Sequence, residues 1–254
     1  MRITLLGTGT SQGIPVIACE CPTCKSENHK NTRTRASVLI SYDDYNVIIE
    51  TATEFRLQMI DNNVKRLDAV FFTHAHADHV HGLDDVRQFN IVQKTSIPCY
   101  GNPATIDSIR QKYDYVFKPT QIGGGKPDII LNSVSNDFDL FGRHIVPLPV
   151  EHGILDIFGY RVGKFAYITD ASKVPEQTLS RLRGVEVFII NALRYIPHET
   201  HLSVDQAVEV IRKVEPKVSY LTHLSHKLEH ERLETELPEN IHVAYDGLTI
   251  NIPD

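Results

Sequence analysis

The stretch Thr73-His74-Ala75-His76-Ala77-Asp78-His79 carries three histidines and one aspartate within six residues. It directly follows the apolar run Ala69-Val70-Phe71-Phe72, which predicts a buried strand over residues 68–72. A turn at a strand end can aim several side chains at one point, and imidazole nitrogens with a carboxylate suit Zn²⁺ and related divalent ions. We therefore predict a metal-binding turn whose ligands are His74, His76, Asp78 and His79.

Outward from this turn, apolar periodicity predicts alternating strands and helices. Predicted strands cover residues 2–6, 36–42, 45–49, 68–72, 97–100, 129–134, 144–150, 158–162, 165–169, 185–191, 218–221, 241–245 and 248–250. Predicted helices cover residues 53–62, 78–93, 103–113, 175–182 and 204–214, with another from about residue 228. This pattern indicates an α/β fold with mixed sheets. Residues 114–128, rich in glycine, are interpreted as a mobile surface loop and a candidate lid.

Composition restricts the class of protein. The 254 residues contain no linker-like segment, so we predict a single domain over residues 1–254. The net charge of −6 gives no electrostatic reason to expect nucleic acid or an anionic membrane as partner. No apolar run approaches the roughly 18 residues of a membrane span, and the first residues show no signal-peptide pattern. We expect a cytoplasmic protein.

Three of the four cysteines lie together, in Cys19-Glu20-Cys21-Pro22-Thr23-Cys24. They occupy an aperiodic segment over residues 12–34, which a bound metal would fix. Three thiolates need a fourth ligand to close a tetrahedral structural zinc site. The residue types that suit this role are His29, His226 and His230.

The chain resembles the metallo-β-lactamase superfamily, whose first metal motif is H-x-H-x-D-H. This resemblance implies a four-layer αβ/βα sandwich of two mixed sheets with flanking helices. It also implies three further ligands at later strand ends, and the sequence supplies His152, Asp170 and His223. By the same resemblance, one metal is held by His74, His76 and His152. The second is held by Asp78, His79 and His223, with Asp170 bridging the two.

With an aspartate as the bridging metal ligand, the chain resembles the phosphodiesterase and nuclease branches of the superfamily. Two cations about 3.5–4 Å apart lower the pKa of a bridging water and clamp the oxygens of an in-line phosphoryl displacement. The resemblance therefore implies two divalent metals, Zn or Mn, and a small phosphate ester as substrate.

A narrower resemblance rests on C-x-C-x-x-C in the first loop with Thr222-His223-Leu224-Ser225-His226 late in the chain. This pair of motifs resembles the phosphoribosyl cyclic phosphate phosphodiesterase family of phosphonate metabolism. The resemblance implies that His226 closes the structural zinc and that His201, just before helix 204–214, assists catalysis together with Asp78. It implies hydrolysis of a phosphoribosyl 1,2-cyclic phosphate-like ester by metal-bound hydroxide. Relatives suggest a homodimer.

Some residues depart from this pattern or stand outside it. Many relatives carry aspartate where this chain has Glu50, whose longer side chain is predicted to lie behind the metal ligands. His198 is interpreted as a loop residue and Arg194 as surface charge rather than a phosphate contact. The small-residue segment 7–13 (GTGTSQG) is predicted to be a tight turn rather than a phosphate loop, because no helix pattern follows it.

Two other functions share part of this sequence signature. A ribonuclease resembling the tRNA 3′-processing branch would use the same metal ligands, but the acidic charge and the lack of a basic arm in the sequence argue against it.

A carrier-type binding protein resembling the quinone-cofactor biosynthesis branch would also carry the cysteine-bound zinc. The complete ligand set favours an enzyme, and about three metals per chain would distinguish it from a carrier with one zinc.

Overall fold

The computed structural model describes residues 1–119 and 125–253. Within these ranges the strands form two seven-stranded sheets. The strands of the first sheet are Arg2–Gly7 (β1), Ser37–Tyr42 (β2), Tyr45–Ile49 (β3), Ala69–Phe71 (β4), Ile97–Gly101 (β5), Ile129–Ser133 (β6) and Thr249–Asn251 (β14). Those of the second are Phe138–Leu140 (β7), Arg143–His152 (β8), Leu155–Val162 (β9), Phe165–Ile168 (β10), Val187–Asn191 (β11), Val218–Thr222 (β12) and Ile241–Val243 (β13).

Both sheets are mixed. In the first, β14 pairs with β1 at one edge and β1 to β6 follow in chain order; β3 to β6 are parallel. In the second, the strands run from β13 back to β7, and β10 to β13 are parallel. Because parallel strands end at the same edge, the segments that follow them lie together, as in other α/β sheets.

Helices cover the outer face of each sheet. They are Phe55–Asp61 (α1), Ala77–Val80 (α2), Arg87–Gln93 (α3), Pro103–Lys112 (α4), Asp114–Phe117 (α5), Glu176–Arg181 (α6), Val204–Val214 (α7) and His230–Glu236 (α8). Short 3₁₀ helices occupy His29–Asn31 and His81–Val86. None of the helices in the described part of the chain is long and apolar enough to cross a membrane.

Three buried clusters hold the layers together. The central one packs first-sheet residues such as Ile40 and Phe71 against second-sheet residues such as Tyr160 and Ile189. On the outside of the first sheet, α1 and the segments 77–93 bury apolar side chains against strands β2 to β5. On the outside of the second, α6, α7 and α8 do the same. The predicted four-layer αβ/βα sandwich is confirmed.

The predicted continuous helix over residues 78–93 is wrong. The segment is divided into α2, the 3₁₀ helix His81–Val86, and α3. At the division, the Gly82 amide donates to the Thr51 carbonyl at 2.9 Å. A β-carbon at Gly82 would stand 2.3 Å from the Ala52 carbonyl oxygen. The segment is therefore in close contact with the preceding loop where it divides, and periodicity alone does not reveal such a contact.

Two other regions differ from the sequence prediction. Strands β8 and β9 are longer than predicted and form a continuous hairpin up to the pair His152–Leu155, so His152 ends its strand rather than following it. The predicted loop over residues 114–128 begins with helix α5 instead. Its residues 120–124 lie outside the described ranges, and the lid interpretation stays a prediction.

Candidate metal centre

The predicted ligands meet at one edge of the two sheets. The turn 73–79 follows β4, His152 ends β8, Asp170 follows β10 and His223 follows β12. Asp170 and His223 have φ of 58° and 57°, and Glu50, which follows β3, has φ of 71°. Left-handed conformations are uncommon for residues other than glycine and concentrate at functional sites. At each of these three positions the chain turns as it leaves a strand, and the side chain enters the site.

His74, His76 and His152 form the first donor group, with ring nitrogens within 4.8 Å of one another. Nε2 of His74 lies 2.9 Å from Nδ1 of His76. Nδ1 of His152 lies 2.7 Å from the Thr200 carbonyl oxygen. Because a carbonyl oxygen only accepts, this nitrogen carries the proton, and Nε2 of His152 keeps its lone pair for a metal.

Asp78, His79, Asp170 and His223 form the second donor group. Nε2 of His79 lies 3.2 Å from Oδ2 of Asp78 and 3.4 Å from Oδ2 of Asp170. Nε2 of His223 lies 3.3 Å from Oδ1 of Asp170. Two ligands about 2.1 Å from a tetrahedral cation stand about 3.4 Å apart, so these spacings suit donors around one ion.

The buried polar atoms of the second group also fit a metal. Both ring nitrogens of His79 and of His223 are buried and have no hydrogen-bond partner among residues 1–119 and 125–253. Burial by itself raises the pKa of the Asp170 carboxyl, but the adjacent His223 and His79 rings hold it well below its usual range. Burial lowers the pKa of His79, and the Asp170 and Asp78 carboxylates raise it well above its ordinary value. The Asp78 and Asp170 carboxylates therefore favour positive charge at the His79 ring. A divalent cation bound there would take the place of the proton on that ring.

Asp170 lies at the junction of the two donor groups. Its carboxylate is close to His79 and His223 of the second group, and it also forms a cluster with His152 of the first. Its carboxylate therefore lies within 4.8 Å of ring nitrogens from both groups. Its loop is fixed by Asn191, whose side-chain amide donates to and accepts from the backbone of Ala171 at 3.0 and 2.8 Å.

His201 is beside Asp170, with Nε2 at 3.0 Å from Oδ1. Its Nδ1 contacts the Thr200 hydroxyl at 2.8 Å. Burial lowers the pKa of His201, which favours the neutral ring. With Nε2–H donating to Asp170, Nδ1 accepts from the hydroxyl, and the ring orientation is fixed at both ends.

Glu50 lies behind the second donor group, fully buried. Its Oε1 accepts from the Thr73 amide at 3.0 Å and lies 3.5 Å from Nδ1 of His79. Burial raises the pKa of Glu50, although His79 lowers it. The glutamate thus lies beside His79, one of the predicted metal ligands.

Several residues that support the site were missed by sequence reasoning. Thr200 orients His152 through its carbonyl group and His201 through its hydroxyl. The Lys112 ammonium donates to the Ala75 carbonyl and the Tyr160 hydroxyl to the Phe72 carbonyl, which holds the turn after β4. These contacts join segments far apart in sequence, and only the position of Thr200 next to His201 offered any local signal.

The cysteine loop forms a separate group. Nδ1 of His226 lies 3.1 Å from the sulfur of Cys19 and 3.6 Å from those of Cys21 and Cys24. These spacings suit a tetrahedral zinc, whose sulfur and nitrogen ligands stand about 3.5 Å apart. His29 and His230, the other candidates, contact the Tyr245 ring instead.

Comparison with known proteins agrees with this architecture. A sequence model of the beta-lactamase superfamily domain matches residues 45–224. A solved structure described as a new diphosphatase from the PhnP family is 37% identical, with a TM-score of 0.93, over 99% of this chain and 98% of that one. Zn²⁺-bound PqqB from Methylobacterium extorquens has the same fold, with a TM-score of 0.81 at 16% identity over 99% and 100% of the two chains.

A relative from Porphyromonas gingivalis named octanoyltransferase is 38% identical over 98% of this chain but only 51% of its own length. The chain spans about half the length of the curated relatives it matches. The superfamily match and the PhnP-family structure both cover the histidine and aspartate groups described above. This chain belongs to the metallo-β-lactamase superfamily and, within it, to the PhnP family.

Proposed function

We propose that the chain is a dinuclear metal-dependent phosphodiesterase that opens a small cyclic phosphate ester resembling phosphoribosyl 1,2-cyclic phosphate. The observation that carries this proposal is the pair of donor groups joined at Asp170, with His201 beside the junction. His74, His76 and His152 would hold one cation, and Asp78, His79 and His223 the other. When bound, two such cations activate a water and stabilise charge on the phosphoryl oxygens.

The chain's own residues supply position and a route for a proton. Hydrolysis adds the elements of water and breaks one ester bond, so the proton lost by the attacking water ends on the leaving oxygen. The neutral His201 ring can donate a hydrogen bond from Nε2 to a phosphoryl oxygen, and once it has taken up a proton it can pass one from Nε2 to the leaving oxygen. Thr200 fixes this ring through the hydroxyl contact at Nδ1, which keeps the proton on Nε2.

The other functions are less well supported. A tRNA-processing ribonuclease needs a surface that grips RNA, whereas this chain carries a net charge of −6. Acyl transfer does not call for seven histidine and aspartate ligands, and we attribute the octanoyltransferase name to the half of the Porphyromonas protein that this chain does not cover. A carrier would not require His201 beside the bridging position.

The test is hydrolysis of the cyclic ester and of bis(p-nitrophenyl) phosphate by protein loaded with Zn or Mn. We expect His74→Ala and Asp170→Ala each to lower kcat/KM by about 10³-fold or more, since both remove metal ligands. His144→Ala, at an exposed histidine that pairs with Asp139, is the matched control and should keep wild-type activity. Full activity in either ligand variant would overturn the assignment.

A further inference from the structure

The cysteine group and the second donor group meet in one short segment of chain. His226 of the cysteine group and His223 of the second donor group are separated only by Leu224 and Ser225. A cavity of about 300 Å³ has both His201 and His226 in its lining, so the cysteine group and the metal centre also face the same space. A change at the cysteine group is therefore close to the metal centre both along the chain and in space.

Backbone hydrogen bonds join this segment to the part of the chain that leads into the cysteine loop. The Leu224 amide donates to the Thr8 carbonyl at 2.9 Å, and the Leu224 carbonyl accepts from the Thr10 amide at 3.1 Å. Next to Leu224, His223 has a φ of 57°. A residue other than glycine keeps this conformation only where its surroundings hold it. A cysteine loop that has come loose can therefore disturb the position of the His223 ring.

Three of the four thiols are open to an oxidant in solution. Cys19, Cys21 and Cys24 are partly exposed, whereas Cys99 is buried in β5. The sulfur atoms of the first three and a ring nitrogen of His226 lie within 4.8 Å of one another. Cysteines that bind zinc are thiolates, and the thiolate is the form that attacks an oxidant. The group therefore combines reactive sulfurs, access from solvent and neighbouring sulfurs with which a disulfide can form.

The chain geometry favours one pair of sulfurs for that disulfide. Cys21 and Cys24 have the C-x-x-C spacing of redox-active cysteine pairs. The Lys25 amide donates to the Cys21 carbonyl at 3.1 Å, so the chain turns over these residues. The sulfur of Cys19 is nearer to Nδ1 of His226, at 3.1 Å, than the other two sulfurs, which are both at 3.6 Å. Cys19 is therefore the thiol that stays beside the histidine.

We propose that the cysteine group is a redox switch for the metal centre, in which peroxide converts Cys21 and Cys24 to a disulfide and zinc is released. One thiolate attacks the peroxide, whose O–O bond breaks, and a sulfenic acid and hydroxide form. The other thiolate attacks the sulfenic sulfur and expels a second hydroxide, so the two sulfurs lose the two electrons that the peroxide gains. Only Cys19 and His226 then remain, too few ligands for a structural zinc. The segment that carries His223 thereby loses its link to the cysteine loop through the metal.

The test treats zinc-loaded wild-type protein with hydrogen peroxide equimolar to the chain, and catalase then removes the excess. The activity that is switched is the proposed phosphodiesterase, so the switch rests on that function. We expect release of one zinc per chain, measured with pyridylazoresorcinol, and a fall of about tenfold in kcat/KM for bis(p-nitrophenyl) phosphate. Dithiothreitol with added zinc should restore both. Unchanged zinc and thiol contents after treatment would refute the switch.

The disulfide can be located by peptide mass. Trypsin with Glu-C cleaves after Glu20 and Lys25, which separates Cys19 from a peptide of residues 21–25. We expect this peptide to lack two hydrogen atoms and Cys19 to remain a free thiol. A disulfide between Cys19 and this peptide would overturn the assigned pair. Cys99→Ala is the control for the buried thiol and should respond to peroxide like wild type.

His226→Ala separates loss of the zinc site from oxidation elsewhere. Because this variant already lacks the link, peroxide should not lower its kcat/KM further, although its thiols still oxidise. Equal falls in wild type and His226→Ala would refute the switch, and so would a disulfide and released zinc with unchanged kcat/KM in wild type.

Failure of the proposed function is distinguishable from failure of the switch. If wild type does not hydrolyse the ester even before oxidation, the proposed function fails, and the metals of the two donor groups decide the coupling instead. In oxidised protein they should pass to pyridylazoresorcinol about tenfold faster than in reduced protein, because the position of His223 is disturbed. Equal rates of transfer would show that the cysteine group does not act on the metal centre.

Discussion

Nε2 of His201 lies 3.0 Å from Oδ1 of Asp170, the carboxylate at which the two donor groups meet. The same carboxylate is 3.3 Å from Nε2 of His223. His201 therefore approaches the predicted bridging residue without belonging to either predicted ligand set. Because His201 also forms a donor cluster with His152 and Asp170, metal content must distinguish a proton-handling role from a ligand role.

We expect His201→Gln to lower kcat by about 10²–10³-fold, in the range typical of a lost general acid. Metal content, measured by plasma emission spectrometry, should stay at the wild-type value. Thr200→Val, which removes the hydroxyl contact to Nδ1 but keeps the carbonyl contact to His152, should have a smaller effect of about tenfold. Loss of a metal from His201→Gln would instead make His201 a ligand.

The cysteine group can be tested separately. We expect His226→Ala to lose one metal per chain, to lower the melting temperature, and to reduce activity, because the same loop after β12 carries His223. His29→Ala is the control, since His29 packs against Tyr245 rather than against the thiolates. Equal metal content in wild type and His226→Ala would contradict the closure of the site by this histidine.

Glu50 offers a test of how a buried carboxylate supports a ligand. Glu50→Gln keeps an acceptor for the Thr73 amide but removes the negative charge 3.5 Å from Nδ1 of His79. We expect metal affinity to fall about 10–100-fold, measured by competition with a chelating dye. Glu54→Gln, at a neighbouring glutamate that pairs with Arg35 instead, should bind metal like the wild type.

Much of this site could be predicted from the sequence because its ligands follow strands. His74 to His79 are adjacent in the chain, the superfamily resemblance supplied His152, Asp170 and His223, and the narrower family resemblance supplied His201. The structure brings all of them together. What the sequence does not reveal are contacts between distant segments, such as that of Lys112 with Ala75, and the left-handed backbone at Glu50, Asp170 and His223. Neither periodicity nor spacing carries a signal for these features.

The break in the predicted helix 78–93 can be tested at Gly82. A β-carbon there would meet the Ala52 carbonyl oxygen and the Phe55 side chain, each at 2.3 Å. We expect Gly82→Ala to destabilise the protein by about 3 kcal/mol in urea unfolding, since the backbone must move apart. Gly142→Ala is the control: its φ of 75° is strained for alanine, but no atom of the described residues lies within 4 Å of the added β-carbon, so it should cost only about 1 kcal/mol. Equal destabilisation by the two substitutions would show that close contacts around Gly82 do not exclude a larger side chain there.

His230 makes folding stability depend on pH. The side chain is 4% exposed, and its Nδ1 faces Nη2 of Arg33 at 3.3 Å. Burial and the charges of Arg33 and Lys30 lower the pKa of His230 to about 4, against the attraction of Glu234 and Glu229. In the unfolded chain the pKa returns to about 6.5. Between these values the unfolded state binds more protons, so the free energy of unfolding falls as pH drops from 6.5 towards 4.

His230→Asn keeps an acceptor for Arg33 but does not titrate, so this part of the fall in the free energy of unfolding at low pH (the acid loss) should disappear. Between pH 7 and pH 5, we expect the free energy of unfolding of wild type to fall by about 1–2 kcal/mol more than that of His230→Asn, measured by urea unfolding at each pH. Protonation of the metal ligands affects both proteins alike and cancels in the difference. His144→Asn, at an exposed histidine whose pKa is raised by the hydrogen bond to Asp139, should show an acid loss at least as large as that of wild type. Identical acid losses in wild type and His230→Asn would mean that folding does not lower the pKa of His230, and a smaller loss in wild type would mean that the imidazole is already protonated beside Arg33 at pH 7.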